Sequence, residues 1–339
     1  MLFKKLRYVT IAFASIAIVA LAFFDSSSET LFSHNFFHQK ALNSISGFAG
    51  PEGKVLVVKI DDTSYARPQA GIESADLVYI EQVEGGLTRL AAVFAHSIPE
   101  TIGPVRSARI TDIDLLSQYG YIAFAYSGAQ SKLRPVIAAA NVKDVGAEHL
   151  GASYYTNDPS RTPPYAMMMS AQKVMALLEE KKEPIALSKN MGWSFGSAPD
   201  SGTEISSVHI SWPAASYTAT WSDDEKRWLL SNSGVPNFSL SGKQLGPTTL
   251  VIQKVLITDS EYHDKVGGIT PLSHVIGSGT GFILRDGKYF DAYWKRESAA
   301  SGTTWRDAEG KEIAFAPGQI WVALTDRAPL FTRKTGSQS

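Results

Sequence analysis

The sequence contains no cysteine. Its absence excludes disulfides, thiolate catalysis, cysteine-ligated metals and a lipidated N-terminal cysteine. A surplus of charge is missing as well: 32 Lys and Arg stand against 33 Asp and Glu, a formal net charge of −1. A chain so balanced has no general attraction for nucleic acid or anionic lipid, and no nucleic acid is expected as a partner. The balance holds locally, with six basic and seven acidic residues from Lys54 to Arg109. The seven histidines are scattered along the chain, which argues against zinc. No Gly-x-Ser-x-Gly elbow marks a nucleophilic serine, and there is no internal repeat. No cofactor is expected. What remains is an ordinary globular composition, 44% hydrophobic and 19% charged, in 339 residues, long enough for two cores.

The most informative stretch runs from Asp76 to Arg109. Two apolar runs, Leu77–Ile80 and Leu87–Phe94, flank Gly85-Gly86, the pattern of a β-hairpin whose tight turn needs positive φ. A two-residue turn there pairs Glu84 with Leu87 and Gln82 with Arg89, leaving Glu84 and Arg89 as diagonal neighbours on one face. The stretch ends in Gly103-Pro104-Val105-Arg106-Ser107-Ala108-Arg109, two arginines just ahead of an expected helix.

At the N-terminus Lys4, Lys5 and Arg7 precede seventeen uncharged residues, Tyr8–Phe24. As a helix that run is about 25 Å long, near the minimum for a bilayer. The positive-inside rule puts residues 1–7 in the cytoplasm and the body outside it. Two readings compete: an uncleaved membrane anchor, or a signal peptide cut near Ala20-Leu21-Ala22. Either exports the body, and the first makes it a single-pass protein of the cell membrane.

The chain then divides as follows: anchor or signal peptide 1–24, tether 25–50, α/β domain 51–188, linker 189–204, mostly-β domain 205–327 and flexible tail 328–339. In the first domain Lys54–Ile60 is a β-branched strand and Thr111 with Asp114 suggests a capping box opening a helix Asp112–Tyr119. Tyr121–Tyr126 is a strand, Leu133–Ala140 a helix, and Ser170 opens a helix buried along Ala171, Val174, Met175 and Leu178. Strands alternating with helices imply an α/β layer. Beyond the Gly-, Ser- and Pro-rich linker come short strands: Ile205–Trp212, Tyr217–Trp221, Trp228–Ser231, Thr248–Thr258, Gly281–Arg285, Lys288–Trp294 and Gln319–Leu324. Asp286-Gly287 marks a hairpin turn, and the whole suggests a sandwich or open barrel. All seven tryptophans lie at or after Trp193, and most are expected in that core.

A family resemblance emerges from these blocks together. Lys59-Ile60-Asp61-Asp62, Ala66-Arg67-Pro68-Gln69-Ala70-Gly71, Ala75-Asp76-Leu77-Val78-Tyr79, Val83-Glu84-Gly85-Gly86-Leu87-Thr88-Arg89 and Ile102-Gly103-Pro104-Val105-Arg106-Ser107-Ala108-Arg109 resemble the YerB-like family of bacterial envelope lipoproteins. In the second half Ile276–Gly281, Asp286-Gly287-Lys288-Tyr289, Gly310–Ile313 and Pro317–Trp321 agree with it. The resemblance covers roughly residues 54–325 and implies two domains of unknown function in the cell envelope. The chain departs from the family at its start, where no lipobox cysteine stands; a transmembrane segment would keep the same location.

The candidate ligand-binding set is Asp62, Arg67, Glu84, Arg89, Arg106, Ser107 and Arg109, expected to converge where strands end and a helix begins. Arg106 and Arg109 with Ser107 can hold a phosphate or carboxylate bidentately. The plainer account pairs both arginines with Glu81, Glu84, Asp62 or Asp112 as scaffold. Glu81 and Glu84 face opposite sides of a strand, so one is expected to be structural and the other to face the site. Asp61, Asp62, Asp112 and Asp114 have the oxygen chemistry for Mg²⁺ or Ca²⁺, but caps and turns account for them and no metal is expected. His149, in a loop with Tyr154 and Tyr155, is the one histidine worth following, and Gly277–Gly281 suggests a glycine-rich turn. Two functions follow. One is a non-catalytic envelope module that binds a cell-wall component or an envelope protein. The other is a hydrolase or phosphoryl/glycosyl transferase using Arg106 and Arg109 on an anionic or lipid-linked substrate, with Glu84 or Asp62 as base.

Overall fold

The computed structural model of the protein describes residues 42–334. The apolar segment Tyr8–Phe24 and most of the tether lie outside the described residues. Among those described, no helix is long and apolar enough to cross a membrane.

The architecture is mostly β and is built on one large mixed sheet. Its path runs Val235–Pro236, Arg227–Asn232, Ser216–Ser222, Thr203–Ser211, Lys288–Arg296, Gly277–Arg285, Thr249–Lys254, Ile320–Thr325, Leu77–Gln82, Thr88–Phe94, Leu56–Asp61, Ile122–Ala125 and Val142–Asp144. Strand Ile320–Thr325 lies parallel to both Thr249–Lys254 and Leu77–Gln82, with Val322 opposite Val251 on one side and Tyr79 on the other. The two halves of the sequence therefore share a sheet, and residues 42–334 belong to a single compact unit. Helices are few and short in the first half, Thr111–Ser117, Arg134–Ala139, Ala147–Leu150 and Ala171–Glu180.

Period-two alternation divides this sheet into two cores. Leu56, Val58, Ile60, Val78, Ile80, Leu90, Ala92, Trp321 and Ala323 face one side. Val57, Leu77, Tyr79, Ala91, Val93, Ile320, Val322 and Leu324 face the other. The outer limb carrying Trp212, Tyr217 and Trp228 packs back onto the first face. Tyr217 meets Trp321 at 6.2 Å between ring centroids, and the Trp212 indole N–H donates to the Leu324 carbonyl at 2.7 Å. Six of the seven tryptophans are buried; Trp221 is half-buried.

Local details depart from expectation where tertiary contacts decide. The Gly85-Gly86 hairpin forms, but its turn is the three-residue Glu84–Gly86, closed by the Val83 N–H on the Leu87 carbonyl at 2.8 Å. Register moves by one residue, so Glu81 sits opposite Arg89 and Gln82 opposite Thr88. Both glycines hold positive φ, and a Cβ on Gly86 would come 2.4 Å from Pro213. Thr111 does not cap its helix; its hydroxyl accepts the Ser273 N–H at 3.1 Å. Gly277–Gly281 belongs to strand Gly277–Arg285 instead of a turn, with Gly279 bare because Trp294 lies over it. Thr248–Thr258 divides into strands Thr249–Lys254 and Ile257–His263. The second of these forms a separate two-stranded hairpin with Ile269–Ser273.

Candidate functional site

The same alternation that separates the two cores places charges. In strand Leu56–Asp61 the residues on the second face are Val57, Lys59 and Asp61; from Leu77–Gln82 they are Leu77, Tyr79 and Glu81; from Thr88–Phe94 they include Arg89. Asp61, Arg89 and Glu81 are directly opposed across the three strands. The carboxyl ends of the parallel strands Leu56–Asp61 and Ile122–Ala125 meet at this rim.

Beneath the rim lies a fully buried set of ions. Lys59 contacts Glu81 and sits 2.9 Å from Asp112, all three with side chains out of solvent. Burial outweighs the pull of Asp112 and lowers the Lys59 ammonium to about 8, leaving it charged at neutral pH. Asp112 also accepts the Arg109 backbone N–H at 2.7 Å. One layer out, Arg106 pairs through Nε with Asp61 at 2.6 Å and lies over the Tyr165 ring at 5.5 Å. Arg109 grips Glu84 with Nε at 2.6 Å and Nη2 at 2.8 Å, and its Nη1 donates to the Ala108 carbonyl at 2.9 Å. Thr270, from the separate hairpin, donates to the same Glu84. Burial alone would raise the Glu84 pKa, but the Arg109 hydrogen bonds and charge prevail and hold it below the ordinary carboxylate value.

Arg89 differs from its neighbours. Its Nη1 donates to the Ser107 carbonyl at 3.1 Å, and among the described residues no carboxylate lies within ion-pair distance of it. Burial, then the positive charge of Arg109, depress it to about 9, still protonated at neutral pH.

Arg89, Arg106, Ser107 and Arg109 open together onto a cleft of about 640 Å³. Its other walls are Ser127–Gln130, Arg134, Glu148, the loop from Asn157 to Met167, and the hairpin tip Asp264–Val266. Arg134 is paired with Glu148 at 2.7 Å. Asp264 takes the Val266 and Gly268 N–H groups of its own turn on Oδ1, at 2.9 and 2.7 Å.

Of the seven residues singled out in the sequence, the structure gathers Glu84, Arg89, Arg106, Ser107 and Arg109. It does not bring Asp62 and Arg67 to them. Asp62 turns to the opposite face, where it takes Arg67 at 2.8 Å, the Tyr217 hydroxyl at 2.5 Å and the Thr88 hydroxyl at 2.5 Å. Arg67 there borders a second cavity of about 520 Å³ with Asn232, Val235 and Phe238. Asp61 holds the place expected of Asp62, a one-residue difference that strand alternation could have supplied. Lys59, a cation inside an apolar β-branched run, is a second signal the sequence carries. Glu81 is structural, and Glu84 lies behind the site wall. His149 is exposed and 3.0 Å from Asp144, which also accepts the Tyr126 hydroxyl at 2.5 Å. Among the described residues no group of three or more His, Asp or Glu is arranged to hold a metal ion.

Chemically, the arrangement presents arginine donors already oriented by carboxylates. Asp61 and Glu84, the acids that hold Arg106 and Arg109 from behind, are both engaged in ion pairs. The carboxyl whose pKa is raised by burial, Asp76, does not line the cleft; it binds Ser46 and the Ala95 and His96 N–H groups.

Comparison with known proteins agrees with this fold. Residues 48–184 match the family described as protein of unknown function (DUF3048), N-terminal domain, and residues 208–322 match its C-terminal domain. YerB of Bacillus subtilis (strain 168), whose name marks it as a candidate lipoprotein, is 23% identical over 277 residues, 80% of this chain and 81% of that one. The crystal structure of the YerB protein from Bacillus subtilis has the same fold, with a TM-score of 0.72 and 21% identity over 87% of this chain and 100% of that chain. With both domains matched in order over most of its length, the chain belongs to the YerB-like two-domain family.

Proposed function

We propose that this chain is an extracytoplasmic, membrane-anchored module of the cell envelope. In this reading it is non-catalytic and binds an anionic group of a cell-wall component or envelope protein in the arginine cleft. The observation that carries this is Arg89: a cation with no carboxylate partner among the described residues, held beside two arginines that have one each. A half-buried cation left so is costly unless a ligand supplies the missing charge. Binding is favoured over acid–base chemistry because Asp61 and Glu84 are committed to arginines and Glu84 stays ionised at neutral pH. A ligand site is further supported by the cleft's position beside the carboxyl ends of the parallel strands Leu56–Asp61 and Ile122–Ala125, where an α/β layer would put one. The anchor is supported by the uncharged run Tyr8–Phe24 and by the name of the Bacillus subtilis relative.

The test compares Arg89→Gln with Arg109→Gln in the full-length protein, by thermal unfolding and by rescue of a strain lacking the gene under envelope stress. Arg89→Gln is expected to melt near the wild type and fail to rescue. Arg109→Gln is expected to melt lower because it abandons Glu84. Full rescue by Arg89→Gln would overturn the reading. Location is checked separately: the protein should resist a carbonate wash, with its body open to protease added outside.

A further inference from the structure

Building on the anion-cleft reading, we infer that the group bound there is a phosphate-type oxyanion, a phosphomonoester or phosphodiester carried on a larger polar body, and not a carboxylate. Donor geometry is the first ground. Arg89 reaches the cleft from strand Thr88–Phe94, and Arg106 from the loop ahead of helix Thr111–Ser117. Arg89 uses Nη1 on Ser107, and Arg106 uses Nε on Asp61. Among the described residues, Nη2 of Arg89 and both Nη atoms of Arg106 make no hydrogen bond. A carboxylate offers two oxygens whose lone pairs all lie in one plane, so a second fork arriving from another direction finds no matching pair of acceptors. A phosphate offers oxygens in several directions and can take forks from two elements at once.

The second ground is Gln130. Its side-chain Nε2 is buried at the cleft wall with no hydrogen-bond partner. An orphaned buried donor marks a place where an acceptor belongs. Any anion oxygen could accept here; a tetrahedral phosphate has one to spare for Gln130 while others take the forks of Arg89 and Arg106. The third ground is size. A cleft of about 640 Å³ is in the range that takes a whole small molecule, far more than a bare phosphate fills. Lys265, on the hairpin tip that lines the same cleft, adds a further cation for the ester substituent or a second phosphate.

The phosphate could be carried by a soluble polyol or sugar, or by a lipid headgroup. Calorimetric titration of the full-length protein in neutral detergent separates these with sn-glycerol 3-phosphate and monomeric dihexanoyl phosphatidylglycerol. Glycerate, a carboxylate of similar polyol character, is the control. At least one phosphate ligand is expected to bind about tenfold or more tightly than glycerate, and the tighter one names the source. Arg89→Gln should weaken it by about tenfold or more, and Gln130→Ala by about threefold. If Arg89→Gln does not fold, Arg89→Lys takes its place, keeping the charge and removing the fork. Glycerate binding as tightly as the phosphates would overturn the phosphate assignment and leave the anion cleft standing. No binding of any of the three would overturn both, as would affinities unchanged by all the folded variants.

Discussion

Lys59→Met tests whether the buried ions hold the arginine cleft in place. Lys59 lies between Glu81 and Asp112 with none of the three side chains in contact with solvent. Methionine conserves much of the volume, so packing changes little and the effect is electrostatic. Asp112 keeps the Arg109 N–H as a partner, but Glu81 is left with Arg89 across the strand and nothing at contact distance. Removing one member of a buried pair costs about 3–5 kcal/mol, mostly from the stranded charge. At about 2–4 °C per kcal/mol for a chain of this order of size, the melting temperature should fall by about 6 °C or more. Urea denaturation of the full-length protein should show the same loss at an unchanged m-value. The double variant Lys59→Met, Glu81→Leu should recover part of it, because it removes a buried charge as well as its partner. A loss below about 1 kcal/mol for Lys59→Met would refute the argument that this set is a scaffold.

Acid sensitivity should trace to Glu84. Its folded pKa lies below the unfolded value, so it stabilises the protein above the unfolded pKa of about 4.3 and loses that contribution as pH falls through the folded value. Glu84→Gln should therefore flatten the stability–pH curve below about pH 4.5, and an unchanged acid limb would contradict this. On the other face, Tyr217→Phe removes one donor to Asp62 and should cost about 1–3 kcal/mol while leaving ligand affinity in the arginine cleft unchanged. Because Ile320–Thr325 sits between Thr249–Lys254 and Leu77–Gln82, chain cleavage within residues 189–204 should leave two fragments that stay associated and unfold in one transition. Separate transitions would contradict a shared sheet.

Much of this fold could be read from local pattern, because local pattern fixes it. Asp286-Gly287 closes the hairpin it suggests, with positive φ at both residues and Arg285 opposite Lys288. Helix Ala171–Glu180 buries Ala171, Val174 and Leu178 as its spacing requires. What failed depends on partners distant in sequence. The Gly85-Gly86 turn takes a third residue where Pro213 packs against Gly86, and one residue of slip puts Glu81, not Gln82, opposite Arg89. Composition at residues 189–204 resembles a linker, yet no local signal shows Ile320–Thr325 returning to lie beside Leu77–Gln82. In the site, the acid–arginine set is visible as residue types, but which aspartate faces the arginines depends on strand direction. Asp61 and Asp62 are adjacent, alternate in direction, and so serve different faces. The contributions of Gln130 and Lys265 come from loops whose placement the sequence does not encode locally.

The most direct measurement of the central claim is a crystal structure of the protein grown with sn-glycerol 3-phosphate. Tetrahedral density is expected in the cleft within hydrogen-bond distance of Arg89, Arg106 and Gln130, with Arg109 still on Glu84 and Arg106 still on Asp61. Phosphate bound only elsewhere, or Arg89 turned away to a carboxylate of the protein with the cleft left to water, would contradict it.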